Sequence, residues 1–237
     1  MADRFEMELE ELGIRLTEEQ KKQFHRYYEM LVEWNKVMNL TGITDYDEVN
    51  LKHFTDSLTI VRNRDMKKVR RLIDVGTGAG FPGIPLKIVF PEIEVVLLDS
   101  LNKRIRFLNA VIDELGLQKI TALHGRAEDY AKKKEFREQF DLCVSRAVAN
   151  LSTLCEYCLP FVGITGYFCS YKSADSDKEI KNSENAVKIL GGEIKSVDKF
   201  NLPGTDMGRA IVDVEKIKNT PKKYPRKAGL PAKEPLT

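Results

Sequence analysis

The sequence has little of what secreted, membrane-embedded or metal-dependent proteins require. Its four cysteines, at 143, 155, 158 and 169, do not space like a secreted disulfide framework. Its three histidines, His25, His53 and His124, are scattered without metal-ligand spacing, so no metal site is expected. No apolar leader follows Met1; the start, Ala2-Asp3-Arg4-Phe5-Glu6, is charged. The stretch poorest in charge, 147–171, is broken by Asn150, Pro160, Gly163 and Gly166 into helix, turn and strand rather than one span. A soluble, cytoplasmic, monomeric protein without a membrane partner is the expectation. The formal net charge is only +2, so no global field marks a polyanion partner.

Against these absences stands one dense feature. The apolar run Leu72-Ile73-Asp74-Val75 reads as a buried strand of a parallel sheet. It runs into Gly76-Thr77-Gly78-Ala79-Gly80-Phe81-Pro82-Gly83, a tight turn that opens a helix. Glycine there lets the backbone take positive φ and approach a ligand closely, and the helix start offers free N–H groups. Gly78-x-Gly80-x-x-Gly83 alone is a weak signal shared by several cofactors. The wider pattern Asp74-x-Gly76-x-Gly78-x-Gly80 is sharper. A carboxylate on the last turn of the strand suits a cationic ligand and repels a diphosphate. The pattern therefore favours S-adenosylmethionine, which carries an ammonium and a sulfonium but no phosphate, over nicotinamide or flavin cofactors.

Before this turn the chain reads as helical. Phe5, Leu9 and Leu12 recur at helical spacing up to Gly13. Thr17-Glu18-Glu19-Gln20 is a capping box. The helix it opens carries Phe24, Tyr27, Leu31 and Trp34. A third helix is expected from about residue 47 to 61. Residues 1–65 thus form a helical cap, 66–215 an α/β domain, and 216–237 a basic, proline-rich tail.

After the turn, strands and helices alternate, which predicts a doubly wound Rossmann-like sheet. Strands are expected at 94–99, 119–123, 140–145, 166–171, 193–200 and 209–214. Asp99 ends the second strand, where a carboxylate holds ribose hydroxyls. Ala127 and Glu128 follow the third strand at the sheet's carboxyl edge. Their N–H and carboxylate fit an adenine edge, and equally the first turn of a helix. Arg146 ends the fourth strand at the mouth of the crevice. Lys172 follows the fifth. The tail holds seven basic residues against one acid and four of the nine prolines. That composition suits phosphate contact, with Tyr224 able to stack, or a disordered solubilising tail.

Three stretches together resemble one family. They are Trp34-Asn35-x-x-x-Asn39-Leu40-Thr41, the segment Asp74 to Leu86, and Lys223-Tyr224-Pro225-Arg226-Lys227. The family is ribosomal RNA small subunit methyltransferase G, also called glucose-inhibited division protein B, and the resemblance covers essentially the whole chain. It implies the class I S-adenosylmethionine-dependent methyltransferase fold, seven strands with the last reversed. It also implies methyl transfer to N7 of one guanosine in 16S ribosomal RNA, free or in a small-subunit particle. By matching motifs, Gly76 and Phe81 fall on the family's cofactor loop, Ala127 and Glu128 on its adenine contact, and Arg146 on a further cofactor contact. The chain departs from the family pattern at Ile164-Thr165-Gly166, at Ser173 and at Ala228, all away from the cofactor loop.

The chemistry implied agrees with what is missing. Guanine N7 has a lone pair and no proton to lose, so orientation and electrostatics suffice. The segment Ser145-Arg146-Ala147-Val148 lacks the Asn/Asp-Pro-Pro-aromatic pattern expected for exocyclic amines. Cys155-x-x-Cys158 falls in a predicted helix and reads as a buried structural pair rather than a redox or zinc site. Arg146 is expected to support the cofactor and orient the base. Gly76, Gly78, Gly80, Phe81, Asp74, Asp99, Ala127 and Glu128 are expected at the cofactor. Lys172, Arg209, Lys223 and Arg226 are expected on RNA phosphates. Two rival readings are a nicotinamide-dependent oxidoreductase, against which Asp74 and the lack of a separate substrate domain argue, and a non-catalytic RNA-binding assembly factor.

Overall fold

The structure, a computed structural model, describes residues 3–146 and 149–236. Ala147 and Val148, part of the segment after the fourth strand, lie outside the described residues.

Seven strands form one sheet: β1 (Arg71–Val75), β2 (Glu94–Asp99), β3 (Ile120–His124), β4 (Phe140–Ser145), β5 (Val162–Ser173), β6 (Gly192–Asn201) and β7 (Gly208–Lys216). Their order is 3-2-1-4-5-7-6. β1 to β5 pair in parallel, and β7 runs antiparallel between β5 and β6. β2 and β4 have the expected bounds, because each is an apolar run ended by a turn. β5 starts four residues earlier than expected. Gly163 and Gly166 do not end it; the register slips between Phe140 and Leu142, where an irregularity accommodates them.

β1 lies between β2 and β4, so the chain winds outward first on one side and then on the other. The reversal leaves a crevice at the carboxyl ends of β1 and β4, where ligands bind in open α/β sheets.

Both faces of the sheet are covered, which is why its central strands are apolar throughout. Along β1 the side chains alternate. Leu72 joins a core with α1 (Arg4–Glu11), α2 (Glu18–Met38), α5 (Gly83–Val89) and α6 (Asn102–Glu114). Ile73 and Val75 join a second core with α8 (Leu151–Cys158) and α9 (Asp177–Ile189). All four cysteines are buried thiols.

The N-terminal helices are built into the first core. The Thr17 capping box forms as the sequence requires and starts α2. Phe5, Phe24 and Phe54 meet ring to ring at 5.1–6.0 Å, and Tyr27 continues the stack to Phe81 and Phe107. The expected third helix is one helical run of four segments: α3 (Tyr46–Val49), a π-helical turn (Asn50–Thr55), α4 (Asp56–Leu58) and a 3₁₀ turn (Thr59–Arg62). α7 is the short helix Ala127–Tyr130.

The tail departs from expectation. It folds onto the domain and ends in α10 (Leu230–Lys233). Tyr224 is buried in the second core, so it offers no ring to a base. The Arg226 guanidinium donates to both oxygens of Glu156, at 3.0 Å from Nε and 2.7 Å from Nη2, and the Arg226 backbone N–H adds 2.8 Å. Glu156 is fully buried. The surplus of charge read from the tail's composition hid this pairing, because the partner sits 70 residues away.

Removing one partner of a buried pair leaves an uncompensated charge. Arg226→Ala is expected to destabilise the protein by about 3 kcal/mol in urea denaturation. Limited proteolysis should cut the variant first within the tail.

Candidate functional site

The glycine turn is shaped by a carboxylate beneath it. Asp74 Oδ2 accepts from Thr77 Oγ1 at 2.7 Å and from the Gly83 N–H at 2.8 Å. A Cβ on Gly83 would come within 2.3 Å of the Leu97 side chain, so only glycine lets α5 sit this close to β2. The Tyr27 hydroxyl of α2 donates to the Ala79 carbonyl and grips the turn from the helical layer. Gly78 takes φ of 63° with open space where its Cβ would be, a conformation that favours glycine.

Asp74 therefore has a different place from the one expected. It is fully buried and does not line the crevice. Strand parity explains this: Asp74 sits on the same face as Leu72, toward α5. Burial raises its carboxyl to about 7, against the pull of its two hydrogen bonds and Arg146. Its other oxygen, Oδ1, has no hydrogen-bond partner among the described residues.

Over the turn lies a cavity of about 480 Å³. Gly76, Gly78, Phe81, Asp99, Ala127, Glu128 and Arg146 line it, so seven of the nine residues expected at the cofactor converge there. Gly80 lies one step off, its missing Cβ making room for the Tyr27 hydroxyl and Ile84. Asp99 is nearly buried. Its Oδ2 accepts from the Gly78 N–H at 2.9 Å and Arg104 Nη1 at 3.1 Å, while among the described residues Oδ1 accepts only from the Leu101 N–H at 2.9 Å. Oδ1 thus keeps acceptor capacity. Glu128 is held by the tail, its Oε1 accepting from the Gly229 N–H at 2.8 Å.

Arg146 forms the far wall. Its Nη1 donates to Asp56 Oδ2 at 2.8 Å and to the Lys52 carbonyl at 3.0 Å. Its guanidinium lies 5.1 Å from the centre of the Phe81 ring. The His53 ring stacks on Phe81 at 4.6 Å and 20° between planes, with its Nδ1 3.4 Å from Arg146 Nη2. His53 Nε2 meets Thr41 Oγ1 at 2.7 Å, and Thr41 is oriented by Asn35 Oδ1, which accepts from the Leu40 and Thr41 N–H groups. Burial first, and Arg146 second, lower His53 to about 4, so the ring is neutral at pH 7.

Beyond Arg146 opens a second cavity of about 720 Å³, sharing Arg146 and Ala149 with the first. Lys172 and Arg209 both line it, each engaged by a carboxylate. Lys172 Nζ lies 2.7 Å from Glu179 Oε1, and Arg209 Nε 3.0 Å from Asp56 Oδ1. Asp56 thereby bridges Arg146 and Arg209. Lys223 is exposed on the tail, and Arg226, expected on phosphate, is instead spent on Glu156. Among the described residues no group of three or more metal-ligating side chains gathers.

The sequence reading missed His53, Asp56, Thr41 and Tyr157, which also line these cavities. One signal was available. His53 and Asp56 lie three apart in a helical run whose other inward residues are Val49, Phe54 and Leu58, so two polar groups share an otherwise apolar face.

Residues 20–207 match the family model described as rRNA small subunit methyltransferase G. The chain is 52% identical over 228 residues to a ribosomal RNA small subunit methyltransferase G of Lachnoclostridium phytofermentans, covering 96% of this chain and 94% of that one. It is 54% identical over 224 residues to the protein of the same name in an Exiguobacterium species, covering 94% of each. Among solved structures it resembles a putative transferase from Pyrococcus horikoshii, with a TM-score of 0.52, 11% identity and coverage of 63% and 58%. It also resembles M. jannaschii TYW2 in complex with AdoMet, with a TM-score of 0.50, 14% identity and coverage of 62% and 69%. These likenesses fit the class I methyltransferase fold.

The buried Asp74 carboxyl generates a prediction with a definite sign. A folded-state value near 7 against an unfolded value of 3.8 means the folded protein holds a proton that the unfolded chain releases. That contribution is full below pH 3.8 and is lost as pH rises through 7. Asp74→Asn, which can still accept both hydrogen bonds, should gain stability relative to the wild type by a few kcal/mol between pH 5 and 8 in urea denaturation. Asp74→Ala orphans two buried donors and should lose about 2–4 kcal/mol at pH 5.

Proposed function

The chain belongs to the rRNA small subunit methyltransferase G family, and on that premise we propose that its first cavity holds the methyl donor and its second the target base. The protein is an S-adenosylmethionine-dependent enzyme that methylates ribosomal RNA of the small subunit, and the atom modified is N7 of a guanosine in 16S rRNA. The oxidoreductase and the non-catalytic readings find no support: the matched family and the relatives are named methyltransferases. No helix among the described residues is long and apolar enough to cross a membrane; an rRNA substrate supports a cytoplasmic site of action.

One observation carries this reading: two cavities meet at Arg146, one walled by the glycine turn and Asp99, the other by cations. The first fits the donor by its chemistry. Asp99 Oδ1 retains lone pairs for a ribose hydroxyl. The turn at Gly76 and Gly78 leaves backbone rather than side chains facing the space. Ala127 and Glu128 stand where an adenine edge would be read. S-adenosylmethionine, when bound, supplies the methyl group on its sulfonium.

The protein's own groups then have three tasks. Phe81 and His53 make a flat, neutral wall beside the junction. Arg146, fixed by Asp56, holds a positive charge there without a proton to give. Lys172 and Arg209 attract the phosphates that flank a base turned out of its stack. Among the described residues, no group at the junction is suited to take a proton at pH 7. His53 is too weak a base, and Asp56 is committed to two arginines. N7 methylation needs none, whereas exocyclic amines and ring N–H groups do.

Arg146→Ala is expected to lower the rate of methyl transfer about 100-fold at saturating donor and RNA. A near-normal rate sinks the role given to it. Asp99→Ala should weaken donor binding about 10- to 100-fold by calorimetry. Mapping of N7-methylguanosine in 16S rRNA from cells with and without the gene tests the reading as a whole: the mark should vanish with the gene.

A further inference from the structure

We propose that the face built from the loop after α7 and the start of the tail docks the phosphodiester backbone of the structured RNA that carries the target base. The inference rests on the reading above that RNA is the substrate. It goes beyond it by assigning a second contact surface away from both cavities.

Six lysines make this face: Lys132, Lys133 and Lys134 in the loop, and Lys218, Lys222 and Lys223 in the tail. All six are exposed, and none forms an ion pair with a carboxylate among the described residues. Elsewhere the chain neutralises many of its lysines. Lys21, Lys172, Lys195 and Lys199 each lie within 2.9 Å of a carboxylate oxygen. The two segments 132–137 and 218–223 contain a single acid, Glu135.

The segments are tied together rather than merely similar in composition. Arg137 sits between them, its Nη2 donating to the Thr220 carbonyl at 2.7 Å and its Nη1 to the Tyr224 carbonyl at 3.0 Å and the Ala131 carbonyl at 3.2 Å. Glu138 holds the tail from below, accepting from the Thr220 N–H at 2.7 Å and Asn219 Nδ2 at 2.6 Å. Tyr224 is buried, which fixes the backbone beside Lys222 and Lys223. Two of the cations rest on aromatic rings, Lys133 Nζ 3.9 Å from the centre of Tyr130 and Lys223 Nζ 5.2 Å from that of Tyr224. Such contacts steady a cation without cancelling its charge.

Like charges held this way repel one another in the free protein and are relieved by a polyanion. The face also leads to the donor cavity. α7 begins at Ala127 and Glu128, which line that cavity, and the tail returns to it where the Gly229 N–H meets Glu128. Backbone contacts there fix register on the RNA while the base is read elsewhere.

The test uses small ribosomal subunits from cells lacking the gene, the full-length protein, and a variant with Lys132→Ala, Lys133→Ala and Lys134→Ala. Methyl transfer is measured across a range of KCl concentrations. The variant should keep its kcat and its affinity for S-adenosylmethionine, and its KM for subunits should rise about tenfold at about 0.1 M KCl. Its plot of log kcat/KM against log KCl should be shallower than the wild type's by about 2. In the wild type, subunits should protect Lys132–Lys134, Lys222 and Lys223 from acetylation, a measurement that needs no variant. Unchanged KM and salt slope, or equal acetylation with and without subunits, overturns the surface while leaving the enzyme's activity standing. A wild type that takes up S-adenosylmethionine but transfers no methyl to the subunits overturns the proposed function, and this inference with it.

Discussion

One buried carboxylate holds the site in shape. Asp74 binds the Thr77 hydroxyl and the Gly83 N–H with a single oxygen, and so ties the end of β1, the glycine turn and the first residue of α5 into one unit. The rest follows from where that unit places its neighbours. Gly78 presents its N–H to Asp99. Phe81 presents its ring to both His53 and Arg146, which meet each other at 3.4 Å. The grip of Tyr27 on Ala79 adds the N-terminal helices to the same brace, so the wall of the cavity is set by residues 52 positions apart in sequence.

Local features of this arrangement could be read directly from the chain. β2 and β4 are apolar runs with clear ends, and the glycine turn and Asp99 announce themselves by residue type and position. What could not be read depended on long-range placement. Which face Asp74 takes is a matter of strand parity against layers not yet built, and so a carboxylate expected against the ligand proved to lie beneath the turn. Arg146 was recognisable at its strand end, but its partners Asp56 and His53 come from a helix about 90 residues earlier. Arg226 looked like one more cation of a basic tail until the burial of Glu156 gave it a partner. Composition reports how much charge a segment carries and is silent on where that charge is spent.

The second cavity shows how cations can be stored without collapsing the space between them. Arg146 and Arg209 share Asp56, and Lys172 leans on Glu179. Each carboxylate fixes the direction of a positive group that would otherwise wander, which is the preorganisation that electrostatic catalysis relies on. The lysines of the α7 loop and tail are treated in the opposite way. They are presented from a rigid backbone and left unneutralised, so they attract at a distance where the cavity residues orient at contact.

The π-helical turn from Asn50 to Thr55 carries a further consequence. It contributes His53 directly and delivers Asp56 just past its end, so its wider coil sets the angular phase of both. Rewinding it as an ordinary α-helix without changing its length would rotate everything after it by about 100° about the axis. Asp56 would then swing off the two arginines although every neighbouring amino acid remained. The winding along this stretch is as strict a requirement as the identity of any side chain in it.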